Sequence, residues 1–311
     1  MLFKVMLLQR WYSLSDPAAE DALNDRKSFA RFVGLGLEET APDHSVICRF
    51  RNELVRRGLM QPLLDELARQ IDDKGLVLKE GTLLDATFLA SAARPPAPPR
   101  PAKAEKPGPA AVEEPPAEQK AVEQKAAEQK AVGAKPAQKT DPEAGKRSKI
   151  DPEARWARKG KLAVFGYKLH IAADSERRIV RAHRLTAANR NDCELGPDLV
   201  QRDGGAHYAD KGYSSQPMRD TLRRLGLPDG VMRLGNKHHA DSPAARRRNR
   251  WIAGIRCRVE GVFAEMKRSF GFRRSRYLGL PKVQLDCDLA VFAFNLKTLV
   301  LAPRPQTESP R

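Results

Sequence analysis

A chain of 311 residues holds enough apolar material for one large domain or two modest ones, so no staple is needed to complete a core. Its 56 Lys and Arg against 39 Asp and Glu leave a formal charge of +17. That is more than solubility requires and favours a polyanionic partner, nucleic acid first and an anionic membrane surface second.

Cys48, Cys193, Cys257 and Cys287 form no CxxC pair and stand at no metal-ligand spacing, which indicates neither a zinc site nor a disulfide framework and suits a reducing cytoplasm. The opening MLFKVMLLQRWYSL is interrupted by Lys4 and Arg10, is too short to span a membrane and lacks a small-residue cleavage site. It reads as a buried helix. Helical patterning continues to about residue 80, with Asp16 and Pro17 starting one helix and Asp43 to Ser45 another. In SVICRFRNELVRRGL, Val46, Ile47, Phe50 and Leu54 form an apolar stripe, Arg49, Arg56 and Arg57 lie off it, and Gly58 ends it. Such a basic helix either reads DNA or presents a solvated charged face, and the pattern alone allows both.

Next comes GTLLDATFLA, a strand-like run with Asp85 at its centre. Residues 92–146 then change character, with eleven prolines and the run AEQKAVEQKAAEQKAV at 117–132. This segment has too little apolar surface to offset the entropy of ordering, so a disordered, low-complexity insertion is expected, with a flexible tail at 301–311. KLAVFGYKLHIAAD and RRIVRAHRLTAA read as a hairpin turning at Asp174 to Arg177, and GAHYAD as a short strand ending at Asp210. Helical spacing returns at 215–225 and at 251–271, the last helix, where Val259, Val262, Phe263, Met266 and Phe270 make an apolar stripe. The class is mixed α/β.

Three carboxylates stand out. Asp85 puts a charge inside an apolar strand, which needs pairing, hydrogen bonding or a metal; the plainer reading is an edge strand with the side chain in solvent. Asp210 sits at a strand end, where open α/β sheets place their sites, although aspartates there are also ordinary turn residues. Glu260 shares a helix face with Arg256 and Lys267, which an ion pair alone would explain. Together the three fit the chemistry of two Mg²⁺ ions, which take hard oxygen ligands and clamp a phosphodiester from both sides, with Mn²⁺ as an alternative ion. Thirteen Lys or Arg against three acids between Arg233 and Arg276 surround Glu260, including Arg246, Arg247, Arg248 and Arg250, as a phosphate-backbone surface would. His170 and His183 read as structural, Asp192 as a loop residue supporting the site, and Trp251 as a helix-start residue packed on the core.

The blocks LLQRWYSLSDPAAEDALNDRKSFARFVGL, PDHSVICRFRNEL, LLDAT, FGYKLHIAAD, LTAANRND, ADKGY and VEGVFAEMKRSFG follow one another in an order that resembles the DDE transposases of the IS-five group of bacterial insertion sequences. The resemblance implies an RNase H-like catalytic core at 81–91 and 147–300, a central sheet flanked by helices, after a helical DNA-binding domain at 1–80. It implies that Asp85, Asp210 and Glu260 are the catalytic, metal-binding triad. Arg256 and Lys267 match the basic positions flanking the glutamate, with Arg246, Arg247, Arg248, Arg250, Arg49 and Arg56 as further DNA contacts. The expected partners are double-stranded DNA, as terminal inverted repeats and target, and a second copy in a synaptic homodimer; the expected location is the bacterial cytoplasm at the nucleoid, with no membrane. Relatives often carry more sequence before LLQRWY, and a tyrosine where this chain has Ala253. The alternatives are therefore an N-terminally truncated, impaired relic that still binds DNA and a sequence-nonspecific nuclease.

Overall fold

A computed structural model describes residues 1–36, 38–95, 150–160, 162–235 and 242–301. From residue 96 onward, the insertion expected at 92–146 lies outside the described residues, as does the tail beyond 301.

The chain opens on five helices: α1 (Leu2–Tyr12), α2 (Asp16–Asp25), α3 (Lys27–Val33), α4 (His44–Arg57) and α5 (Met60–Asp73). Ser15 rather than Asp16 caps α2, its hydroxyl accepting from the Ala18 amide, while Asp16 turns inward to accept from Gln9 and Arg51. Asp43 caps α4 as the pattern predicts, accepting the Val46 amide at 2.7 Å, and Gly58 ends it at φ 61° in the left-handed region that glycine adopts without strain. Val5, Leu8, Leu23, Phe29 and Ile47 fill a small core among these helices. The other side of α1 (Met6, Leu7) joins Leu54, Leu67 and Ile71 in the main core beneath the sheet, so the helical region shares an interior with the sheet.

The strands are β1 (Gly81–Ala90), β2 (Arg155–Lys159), β3 (Leu162–Asp174), β4 (Val180–Ala187), β5 (Ala206–Ala209) and β6 (Asp229–Val231), and helices α6 (Asp192–Leu195) and α7 (Gln216–Arg224) lie between β4 and β6. Their order across the sheet is β2-β3-β1-β5-β6, with β4 also paired to β3. The β3–β4 hairpin turns where Asp174 accepts the amides of Glu176 and Arg177. β1 is antiparallel to β3 from Thr82 to Ala90 and parallel to β5 only from Gly81 to Leu83, so it is central at its start and at Asp85 pairs with β3 alone. Alternation sends Leu83 and Leu89 into the main core and Leu84 into a second core with Met218 and Leu222 of α7.

Two long helices, α8 (Pro243–Ser269) and α9 (Leu280–Leu301), close the chain. The helix bearing Glu260 is therefore not the last one. It also begins well before 251, at Pro243 with Ser242 as its cap. Trp251 thus stands in the third turn instead of at the helix start, and it is not packed in the core: it is 60% exposed, its ring meeting that of Tyr208 in a T-shaped contact. α9 buries residues on every side, from Leu285 through Asn295, as a helix apolar all round must. Among the described residues no helix is long and apolar enough to cross a membrane.

α1 is fastened to α9 by a buried ion pair between Arg10 and Asp286, both nearly inaccessible, and the Arg10 guanidinium also donates to the Phe270 carbonyl at 3.2 Å. Removing one partner strands the other charge in the core. Asp286→Leu should therefore cost about 3–5 kcal/mol in urea unfolding, and adding Arg10→Met should restore most of the loss. A single variant as stable as the native chain would show that the pair does not hold α1 in place.

Candidate active site where two parallel strands part

β5 pairs with β1 over three rungs only, the last being Leu83 with Tyr208. Two residues further along each strand stand Asp85 and Asp210. In parallel register they occupy corresponding positions, at the end of β5 where it ceases to pair with β1 while β1 continues along β3 to Ala90. A crevice at the carboxyl end of a strand, beside a neighbour that runs on, is where open α/β sheets bind ligands.

α8 crosses this crevice. Trp251 meets Tyr208 of β5, and one and a half turns later Arg256 places Nη2 3.2 Å from Oδ2 of Asp85, with both side chains mostly buried. The other oxygen of Asp85 accepts the Ala86 amide at 2.8 Å. Asp210 caps the short 3-10 turn Lys211–Tyr213 by accepting the Gly212 amide at 2.9 Å. Glu260 follows Arg256 by one turn on the same helical face and is exposed.

The Tyr213 hydroxyl reports how closely these groups converge. It is fully buried, and its pKa is pushed well up by burial first and then by the negative charges of Asp192, Asp85 and Asp210, with Arg256 opposing. His170 lies 3.3 Å from that hydroxyl through Nδ1, and its other ring nitrogen is 3.1 Å from Thr186. Burial pulls the His170 pKa down to about 4, against the pull of Asp192, so the ring is neutral at pH 7.

Donor chemistry fits divalent cations: Asp85, Asp210 and Glu260 offer hard carboxylate oxygens from three neighbouring elements, β1, the end of β5 and α8. Among the described residues, however, no three such groups are gathered tightly enough to hold an ion as they stand. The Arg256 guanidinium supplies the positive charge at Asp85 instead.

The predicted DNA contacts divide by environment. Arg246, Arg247 and Arg250 are exposed along the first turns of α8. Arg248 instead donates to the Val231 and Asp229 carbonyls and ties α8 to β6. Lys267 is half-buried near the end of α8. On α4, Arg49 reaches Ser45, and Arg56 pairs with Glu53, whose carboxyl its hydrogen bond draws down to about 2. Lys168, His170 and Tyr213 were not predicted as parts of the site. Tyr213 is carried by the turn after Asp210, and Lys168 and His170 by β3.

Two sequence families match the chain. The pattern of the Transposase DDE domain covers residues 124–296, more than half of the chain, and that of the Transposase domain (DUF772) covers residues 1–53. The chain belongs to the DDE transposase domain family. Asp210 and Glu260 of this transposase lie inside the matched region, whereas Asp85 lies before it and enters the site through the register of β1. No solved structure matches the transposase.

Because the folded pKa of His170 lies below its ordinary value of about 6.5, the unfolded chain takes up the proton first as pH falls. The neutral ring therefore contributes stability that is complete above about pH 6.5 and is lost towards pH 4, by up to roughly 3 kcal/mol. Urea midpoints measured across that interval should fall less steeply in His170→Asn than in the native transposase. Equal slopes would mean that His170 is protonated at its ordinary pKa in the folded state.

Proposed function

We propose that this transposase belongs to the IS-five group, binds the terminal inverted repeats of its insertion sequence, and cuts and rejoins DNA on an RNase H-like core. The reading rests on one observation: Asp85 and Asp210 stand at matching positions past the last rung between β1 and β5, under the helix that bears Glu260. Asp85, Asp210 and Glu260 would hold two Mg²⁺, or Mn²⁺, which when bound neutralise charge on the scissile phosphate and acidify the attacking hydroxyl. The rest falls to the protein. Arg256, freed from Asp85, would hold a non-bridging phosphate oxygen by charge-assisted hydrogen bonds, and Lys267 would do so further along α8. Arg246, Arg247 and Arg250 would track the backbone leading to the site, which gives salt-dependent affinity without sequence readout. The rings of Tyr213 and His170 keep water from the underside of the aspartates, since both are buried. Attack by water on the scissile phosphorus displaces the 3′-oxygen of one nucleotide, and attack by that freed 3′-hydroxyl on a phosphorus of target DNA forms the new ester while expelling the target strand's own 3′-oxygen. A homodimer would bring two ends together.

The test is cleavage of a labelled duplex carrying the terminal repeat, with and without Mg²⁺. Glu260→Gln and Asp210→Asn should lose cleavage while still shifting the duplex in a gel. Cleavage retained by either variant overturns the triad, and equal cleavage of any duplex would instead make the protein a nonspecific nuclease. Arg246→Ala and Arg250→Ala should each lower the slope of log affinity against log salt by about 1, uniformly across sequences. Arg248→Ala, whose guanidinium bonds backbone carbonyls, should lower the melting temperature more than it changes that slope.

A further inference from the structure

Asp192 is the fourth carboxylate near the crevice, and its surroundings set it apart from a turn residue. It opens α6, immediately after the loop that follows β4. Its Oδ1 accepts from Lys168 Nζ at 3.0 Å and lies 3.6 Å from His170 Nδ1. Lys168 in turn donates to the Arg190 carbonyl at 2.9 Å and lies over the Phe88 ring, so the ammonium is fixed from three sides and only 12% of its side chain is exposed. Strand β3 therefore holds Asp192 by one oxygen.

The other oxygen faces the Asp210 turn. A methyl group on Gly212 would stand 3.3 Å from Asp192 Oδ2 and 3.0 Å from Asp210 Oδ1. Both carboxylates thus stand within contact distance of the position a Cβ would take at Gly212, and a side chain there would press on both. Asp210 is further committed to the Gly212 amide, so whatever moves that amide moves the Asp210 carboxylate.

We propose that Asp192, clamped by Lys168, is a positioning residue that sets the Asp210 turn and adds negative charge to the cation site without touching the reacting phosphate. The inference rests on the reading of Asp210 as a metal-holding carboxylate. Partners of metal-holding groups commonly alter affinity by 10–100-fold when removed. Asn at 192 would keep the shape and lose the charge; Met at 168 would release the clamp; Ala at 212 would keep both carboxylates but push each by a few tenths of an ångström.

The deciding measurement is Mn²⁺ binding to the DNA-free transposase by electron paramagnetic resonance, with the melting temperature recorded for each variant. Asp192→Asn, Lys168→Met and Gly212→Ala should each weaken Mn²⁺ binding by about tenfold or more at a temperature where the melting curve shows the variant folded, and Asp210→Asn should abolish it. Native affinity in Asp192→Asn and Gly212→Ala, alongside loss in Asp210→Asn, overturns the positioning role and leaves the triad standing. Native affinity in Asp210→Asn, or no Mn²⁺ binding by the native protein, overturns the triad reading and this inference with it. Should Asp192→Asn fail to fold, Gly212→Ala decides alone.

Discussion

The pairing of β1 with β5 ends two residues short of the two aspartates, and the rest of the site depends on that ending. Parallel strands in full register would bury both carboxylates between hydrogen-bonded neighbours and the helix above, where an unpaired charge is unfavourable by several kcal/mol. Because β5 stops at Ala209, Asp210 is released to cap the turn at Gly212, and Asp85 stands where β1 pairs with β3 alone and its carboxylate meets Arg256 of α8. The crevice exists because one strand is short and its neighbour is long.

α8 then converts this crevice into a charged cleft. Its buried stripe of Val259, Val262, Phe263 and Met266 anchors it over the sheet, which leaves Arg256 against Asp85 and Glu260 exposed one turn further along the same face. The same side-chain type serves two ends here: Arg248 bonds carbonyls of β6 and belongs to the fold, whereas Arg246, Arg247 and Arg250 face solvent. Composition alone counts them equally. Buried arginines do similar structural work elsewhere, with Arg10 on Asp286 joining α1 to α9 and Arg51 on Asp16 joining α4 to α2. A charge of +17 is thus partly consumed within the molecule.

Local patterns found most of the elements. Alternation in KLAVFGYKLHIAAD and the turn at Asp174 specify the β3–β4 hairpin, and the stripe on α8 specifies which side it buries, because each signal is contained within a few consecutive residues. α9 escaped the same reasoning. It is apolar on all sides and so has no stripe to find, and its one buried acid, Asp286, looks like a surface residue until Arg10 is brought to it from the other end of the chain. Trp251 was misplaced for a related reason: the helix start was set at the first apolar repeat, while the basic turns before it, capped by Ser242, carry no hydrophobic period.

By itself the sequence determined the family, the mixed α/β class, the residues Asp85, Asp210 and Glu260 as candidates, and the basic character of the segment around them. These are properties of residue type and of spacing along the chain. Only the tertiary structure decided that Asp85 and Asp210 stand at matching levels, that Arg256 pairs with Asp85 rather than with a neighbour on its own helix, and that Lys168 and His170 of β3 come against Asp192 with Tyr213 beside them. Those facts depend on strand register and on contacts between residues far apart in the chain, which no local period encodes.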